Sequence, residues 1–227
     1  MSKQKILAAS LLTISMGAQA GVVVGGSTLI SAAGQTQLEA WLGQGGLTLT
    51  NIFTKGAGNS AVDFHTAADG KGPTFALMSA SEDGVTWATI GGYNPLSWKS
   101  AGGYTKTATF DAFVFNLTGN VKLQQLNQYQ TYNAGSYGPT FGGGHDIYVD
   151  SSLNMGYSYG SSYVSNGRSI VDGSAYNGAN MQIRALEVFT ITEFNAQAVP
   201  EPASLLLMVL GLAGGVAARR KNAGGRA

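Results

Sequence analysis

A mainly β fold, α+β in the broad sense, is what the sequence predicts: two antiparallel sheets packed as a sandwich and flanked by short helices. Three observations carry this reading. Short apolar or alternating runs recur between residues 47 and 191, separated by turns containing Gly, Asn or Asp. A helical period shows in a single short segment, so the strands lack the crossover helices of a βαβ array. The composition, with 33 glycines, 11% charged residues and many Ser, Thr, Asn and Tyr residues, suits a turn-rich β domain.

The elements follow in order. Lys3 and Lys5 precede an apolar stretch over residues 6–16, and Ala18-Gln19-Ala20 supplies the small residues that a signal peptidase accommodates. Residues 1–20 therefore read as a signal peptide cleaved after Ala20, and residues 21–35 as an N-terminal extension. Over residues 36–43, Leu38, Trp41 and Leu42 share one helical face behind Thr36 as cap, with Gly43 ending the helix. Strands are expected over 47–53, 74–79, 86–91, 112–117, 145–149 and 185–191, with turns at Asp69-Gly70, Asp83-Gly84 and Gly119-Asn120. Gly91-Gly92 and Gly142-Gly143-Gly144 are expected at bends, bulges or close backbone approaches. Trp98, Phe113, Phe115 and Phe189 are core candidates. Glu187 lies within an apolar strand, where alternation turns it to solvent; a buried position would demand a partner.

Charge and cysteine content exclude several functions. Six of the 13 basic residues lie in the two ends of the chain, leaving residues 21–199 with seven bases and eleven acids, a net charge of about −4. That balance argues against a nucleic-acid partner, which needs clustered Lys and Arg to displace counterions. The chain has no Cys, which rules out thiol catalysis, thiolate metal sites and disulfides, and with them peroxide reduction by a thiol. No cofactor motif is present, and none is expected.

Candidate chemistry is sparse. Gly156-Tyr157-Ser158-Tyr159-Gly160 matches the G-x-S-x-G pattern, but both histidines precede Ser158, against the order of an α/β-hydrolase triad. Asp63, His65 and Asp69, with His145 and Asp146, are residue types that ligate divalent ions, yet neither HExxH nor an EF-hand loop is present, and no metal is expected. Structural roles are preferred: a partly buried contact for His65, a turn or strand-end hydrogen bond for Asp146. Asn116-Leu117-Thr118 is formally a glycosylation sequon, discounted because it lies at a strand. The tyrosines between 129 and 163 are interleaved with Ser, Gly and Asn, a composition suited to binding sugars or proteins as well as to plain outer strand faces.

Two resemblances add to these readings. Phe64-His65 with Asp69-Gly70-Lys71-Gly72-Pro73-Thr74, Gly91-Gly92-Tyr93 with Ser97-Trp98, and Phe113-Val114-Phe115-Asn116-Leu117 come first. Gly138-Pro139-Thr140-Phe141-Gly142-Gly143-Gly144-His145-Asp146-Ile147-Tyr148 and Leu186-Glu187-Val188-Phe189 complete the set. In this order they resemble the TLDc domain, over residues 36–193. The resemblance implies a two-sheet β-sandwich with short flanking helices and no settled catalytic mechanism. Its eukaryotic association with oxidative stress and with the vacuolar proton pump does not transfer to an exported bacterial chain.

Residues 194–202 read as a linker ending in Pro200-Glu201-Pro202. An apolar run follows over 203–218, then Arg219-Arg220-Lys221 in a basic tail over 219–227. The triad resembles the PEP-CTERM signal processed by exosortases of Gram-negative bacteria. The positive cluster resists translocation, and at about 1.5 Å per residue the run spans roughly 24 Å of a ~30 Å hydrocarbon core, a marginal transmembrane anchor. Gly211 and Gly215 form a GxxxG pair read as loose helix packing.

Together these point to an exported, exosortase-sorted protein of the cell surface or extracellular matrix. A membrane-held precursor would display a non-enzymatic binding domain to exopolysaccharide or a surface protein. The alternative is an exported enzyme, a hydrolase or oxidant protectant, using His65 or His145 with a nearby carboxylate such as Asp146.

Overall fold

The computed structural model describes residues 21–163, 167–176 and 180–193. The segment 1–20 expected as a signal peptide, the Pro200-Glu201-Pro202 motif, the apolar run and the Arg219-Arg220-Lys221 cluster lie outside the described residues. Along the chain run β1 (Val22–Val24), α1 (Ala32–Leu42), β2 (Leu47–Thr54), α2 (Ala61–Ala68), β3 (Thr74–Ser81) and β4 (Ala88–Asn94). There follow β5 (Gly103–Lys106), β6 (Phe113–Asn116), β7 (Val121–Gln124), β8 (Tyr129–Asn133), β9 (Tyr148–Val149), β10 (Met155–Tyr157) and β11 (Met181–Glu193).

The protein is mainly β, with two sheets and two short helices among the described residues. One sheet has the order β1-β2-β11-β3-β4-β6-β7, extended by β10 on β11 and β9 on β10; the other pairs β5 with β8. Every pairing is antiparallel except β1 with β2. A parallel pair needs a crossover, and the segment containing α1 supplies it. Residues 21–35, expected as an N-terminal extension, contain a strand of the main sheet and the start of α1. β11, thirteen residues long, pairs with β2, β3 and β10, shifting register at Val188/Phe189 against β2 and at Ile183/Ala185 against β3.

Both faces of this sheet are covered, which explains why all of β3 is buried. Phe75, Leu77, Phe113, Phe115 and Phe189 pack with Leu38 of α1 on one face. Ala76, Met78, Ile90, Val114 and Val188 face a larger cluster with Phe64 of α2, Trp98 and Phe141. Trp98 is 1% exposed, and its indole N–H donates to Thr74 Oγ1 at 2.8 Å. This two-sided burial corrects the solvent position expected for Glu187. Its cross-strand partner is Leu77, so it shares the α1 face, where it is 1% exposed. Ser27 Oγ (2.5 Å), Thr28 N (2.8 Å) and Thr28 Oγ1 (2.7 Å) donate to the carboxylate. The buried charge is satisfied by the segment between β1 and α1.

Local signals account for both helices. α1 begins four residues before the expected start: Ser31, not Thr36, is the cap, its hydroxyl accepting from Gly34 N at 3.1 Å. Gly43 closes the helix in the left-handed region at φ 75°. α2 was not anticipated, although Ala61, Phe64, His65 and Ala68 are buried at the i, i+3, i+4, i+7 spacing. Asp63 at its third position accepts from Ser60 N at 2.8 Å, half of a capping box. Gly91 and Gly92 are not bends but lie inside β4. A Cβ on Gly91 would stand 2.1 Å from Ala76 O, and one on Gly92 would stand 2.5 Å from the Phe141 ring. Close approach of backbone and ring is what requires glycine there.

Candidate functional site: a tyrosine face around His145

Register builds this surface from both sheets. Tyr104 of β5 lies opposite Tyr132 of β8, and Tyr148 of β9 lies opposite Tyr157 of β10. Each pair is in ring contact, at centroid distances of 4.8 Å and 4.9 Å. Tyr137 bridges them, 5.2 Å from Tyr132 and 4.8 Å from Tyr148. The array continues at one end to Tyr129, 5.0 Å from Tyr104. At the other end it reaches Tyr176, 6.1 Å from Tyr157, and Tyr159, 5.3 Å from Tyr176. Eight tyrosines thus form one unbroken chain of ring contacts.

His145 sits at the centre, with its ring 5.2–6.2 Å from those of Tyr104, Tyr132, Tyr137, Tyr148 and Tyr157. Burial among these rings pushes its pKa below 6.5, partly offset by Gly142 O and by the Asp146 charge, so the ring is neutral at pH 7. Burial also raises the Tyr148 phenol and pushes that of Tyr157 up to about 12, with neighbouring phenols reinforcing both shifts. Lys106 stands at the edge of the face, 5.0 Å over the Tyr129 ring.

A buried carboxylate holds the scaffold beneath it. Asp146 is fully buried and accepts from Ser161 N (2.9 Å), Ser162 N (2.8 Å) and Tyr163 N (2.8 Å). Gly142 and Gly144 adopt φ values of 83° and 85° to turn the chain into this arrangement. A Cβ on Gly142 would stand 2.0 Å from Asp146 Oδ2. His145 itself has φ 67°.

The remaining candidates are engaged elsewhere. His65, 5% exposed, faces Asp69 Oδ1 with Nδ1 at 2.7 Å, and its Nε2 lies 3.0 Å from both Ala134 O and Tyr137 O. Both ring nitrogens are occupied, which makes the side chain a brace between α2 and residues 134–137. Ser158 is fully buried, donating to Asp146 O at 2.8 Å and accepting from Ile170 N at 2.9 Å, so the G-x-S-x-G match is no nucleophile elbow. The Asn116 amide donates to Ile170 O and Val171 O, which removes it as a glycosylation acceptor in the fold. Asp63 caps α2, and among the described residues no three His, Asp or Glu side chains converge as a metal site. Tyr163, grouped by sequence with the surface tyrosines, is core, its hydroxyl donating to Gln130 O at 2.6 Å. Tyr104 and Tyr176 lay outside the window that flagged the others. A separate groove of about 750 Å³ is lined by Trp87, Leu123, Leu126, Ile170 and Val171 among others, and Ser169 on its wall donates to Glu82 Oε1 at 2.5 Å.

The chain thus folds as a two-sheet, mainly β domain that buries many polar side chains in hydrogen-bonded positions and presents an aromatic face. Comparison with known families agrees on the fold. Residues 24–192 match the TLDc domain model, and the chain belongs to that family. Residues 198–221 match the PEP-CTERM protein-sorting motif, which implies export through a membrane-held precursor and processing by an exosortase. No curated protein matches the chain significantly. Among the described residues no helix is long and apolar enough to cross a membrane; the apolar run 203–218 is not among them.

Proposed function

We propose that this protein is a non-enzymatic surface or matrix component whose TLDc domain contacts exopolysaccharide through the tyrosine face. In this reading the signal peptide is removed after Ala20. The apolar run with Arg219, Arg220 and Lys221 then holds the precursor in the inner membrane while the exosortase acts near Pro200-Glu201-Pro202. The observation that carries the reading is the array of eight tyrosines around a neutral histidine. Tyr104, Tyr159 and Tyr176 are 39%, 42% and 37% exposed, offering phenol faces for sugar C–H groups and hydroxyls for hydrogen bonds. Two-χ side chains lose little entropy on binding, and the ring contacts preorganise them further.

Affinity electrophoresis through gels containing the native organism's exopolysaccharide tests this. Tyr104→Ala and Tyr148→Ala are expected to weaken retention about tenfold, the loss of roughly one stacked contact. Unchanged retention in both variants overturns the binding reading, and exclusive recovery of the protein in the cytoplasm overturns the export reading.

A further inference from the structure

Beneath Gly21, three buried groups form a polar knot. Gln35 and Glu39 of α1 are 6% and 7% exposed, and Leu47 at the start of β2 is fully buried. Glu39 Oε1 accepts from Leu47 N at 3.0 Å and from Gln35 Nε2 at 3.1 Å, while Gln35 Nε2 also donates to Leu47 O at 3.0 Å. Among the described residues, no Lys, Arg or His side chain forms an ion pair with Glu39. A buried carboxylate held by neutral donors alone lacks the counter-charge that normally offsets its desolvation.

Gly21 lies directly over this carboxylate. A Cβ built on it would stand 1.8 Å from Glu39 Oε1, 2.1 Å from Gln35 Nε2 and 2.7 Å from Leu47 O, so a side chain here displaces both polar groups and presses on the backbone at the start of β2. Standard backbone geometry then puts the Gly21 nitrogen within about 4.3 Å of the same oxygen. In the precursor that nitrogen is a neutral amide.

We propose that Glu39 is the receptor for the α-ammonium group that signal-peptide removal creates on Gly21. The inference rests on the proposed cleavage after Ala20. Hydrolysis of the Ala20–Gly21 amide consumes one water: Ala20 departs as a carboxylate, and the freed Gly21 amine takes up the proton to become an ammonium at neutral pH. The new cation arises where a buried anion has none, so processing completes the α1–β2 corner. Gly21 is thereby a requirement of the mature domain as well as a residue that the peptidase tolerates.

The test uses processed protein purified from its native envelope, carrying Gly21 and Glu39 or the substitutions Glu39→Gln and Gly21→Ala. Intact mass reports the first residue, and mass-resolved acetylation by acetic anhydride at pH 7 reports the reactivity of the α-amine. A carboxylate that holds the amine protonated lowers the free-amine fraction, so both substitutions are expected to speed acetylation about tenfold. Glu39→Gln is also expected to lower Tm by roughly 5 °C. If Glu39→Gln does not accumulate, Gly21→Ala carries the comparison, because it keeps the carboxylate and displaces the terminus. A chain confirmed to start at Gly21 whose α-amine acetylates equally fast in all forms overturns the ion pair and leaves the cleavage site standing. Any other first residue overturns both.

Discussion

The two histidines occupy neighbouring regions and share a tyrosine, yet their surroundings are opposite in kind. His65 meets the main chain of Tyr137 and places an oxygen against each ring nitrogen. His145 meets the ring of Tyr137 and is ringed by phenols, with Gly142 O at 3.4 Å as a distant polar contact. Oxygens on both sides hold an imidazole in one place. Aromatic walls desolvate it and keep it neutral beside an exposed surface. The comparison teaches that one residue type serves two ends: His65 is held by oxygens at both ring nitrogens, whereas beside His145 the Asp146 carboxylate accepts from the amides of residues 161–163 and leaves the ring to its aromatic walls.

The largest test of this contrast falls under the His145 region. Asp146→Ala leaves three amide N–H groups without this acceptor, those of Ser162 and Tyr163 buried, and urea denaturation is expected to show a loss of about 3 kcal/mol. Exopolysaccharide retention should fall with it, because the scaffold of the tyrosine face goes too. Loss of retention at unchanged stability would mean that Asp146 contacts the ligand instead. On the other side, His65→Ala removes a brace and is expected to cost about 2 kcal/mol while leaving retention intact. Retention lost in a variant of near-normal stability would reverse the assignment of the two regions.

The smallest effect concerns acid. Because the folded pKa of His145 lies below 6.5, its contribution to stability is complete above about pH 6.5 and is lost as pH falls from there through the folded value. Thermal melts between pH 7.5 and 5 are expected to show a steeper decline in wild type than in His145→Asn, which tolerates the positive φ and does not titrate. Glu82, raised chiefly by burial, acts with the opposite sign, so the difference between the two proteins is the quantity to read. Parallel pH profiles would place His145 in water and dissolve the contrast.

Much of the fold was legible because its signals are local. Runs of alternating or apolar residues announced β2, β3 and β11, and Trp98, Phe113, Phe115 and Phe189 are all in the core. β5, β8 and β10 escaped notice because Tyr, Thr, Gly and Asn carry no clear period on a half-buried surface. The Ser60 and Asp63 cap of α2 was readable, but its buried face holds two alanines and a histidine, which weakens the apolar pattern. The tyrosine face was half visible: composition pointed to Tyr129, Tyr132, Tyr137, Tyr148, Tyr157 and Tyr159, while Tyr104 joined them only through its register with Tyr132. Tyr163 has the same chemistry and a different fate, since its hydroxyl is tied to Gln130 O inside the core.

By itself, the sequence determined the mainly β class, the absence of thiol chemistry and the sorting motif at the C-terminal end, because periodicity, composition and linear motifs are properties of adjacent residues. The tertiary structure decided which polar residues are buried and with whom: Glu187 with Ser27 and Thr28, Asp146 with residues 161–163, Glu39 beneath Gly21. Those pairings join positions far apart in the chain. Desolvation, which sets the energy of every charge among them, exists only once the layers have closed over them.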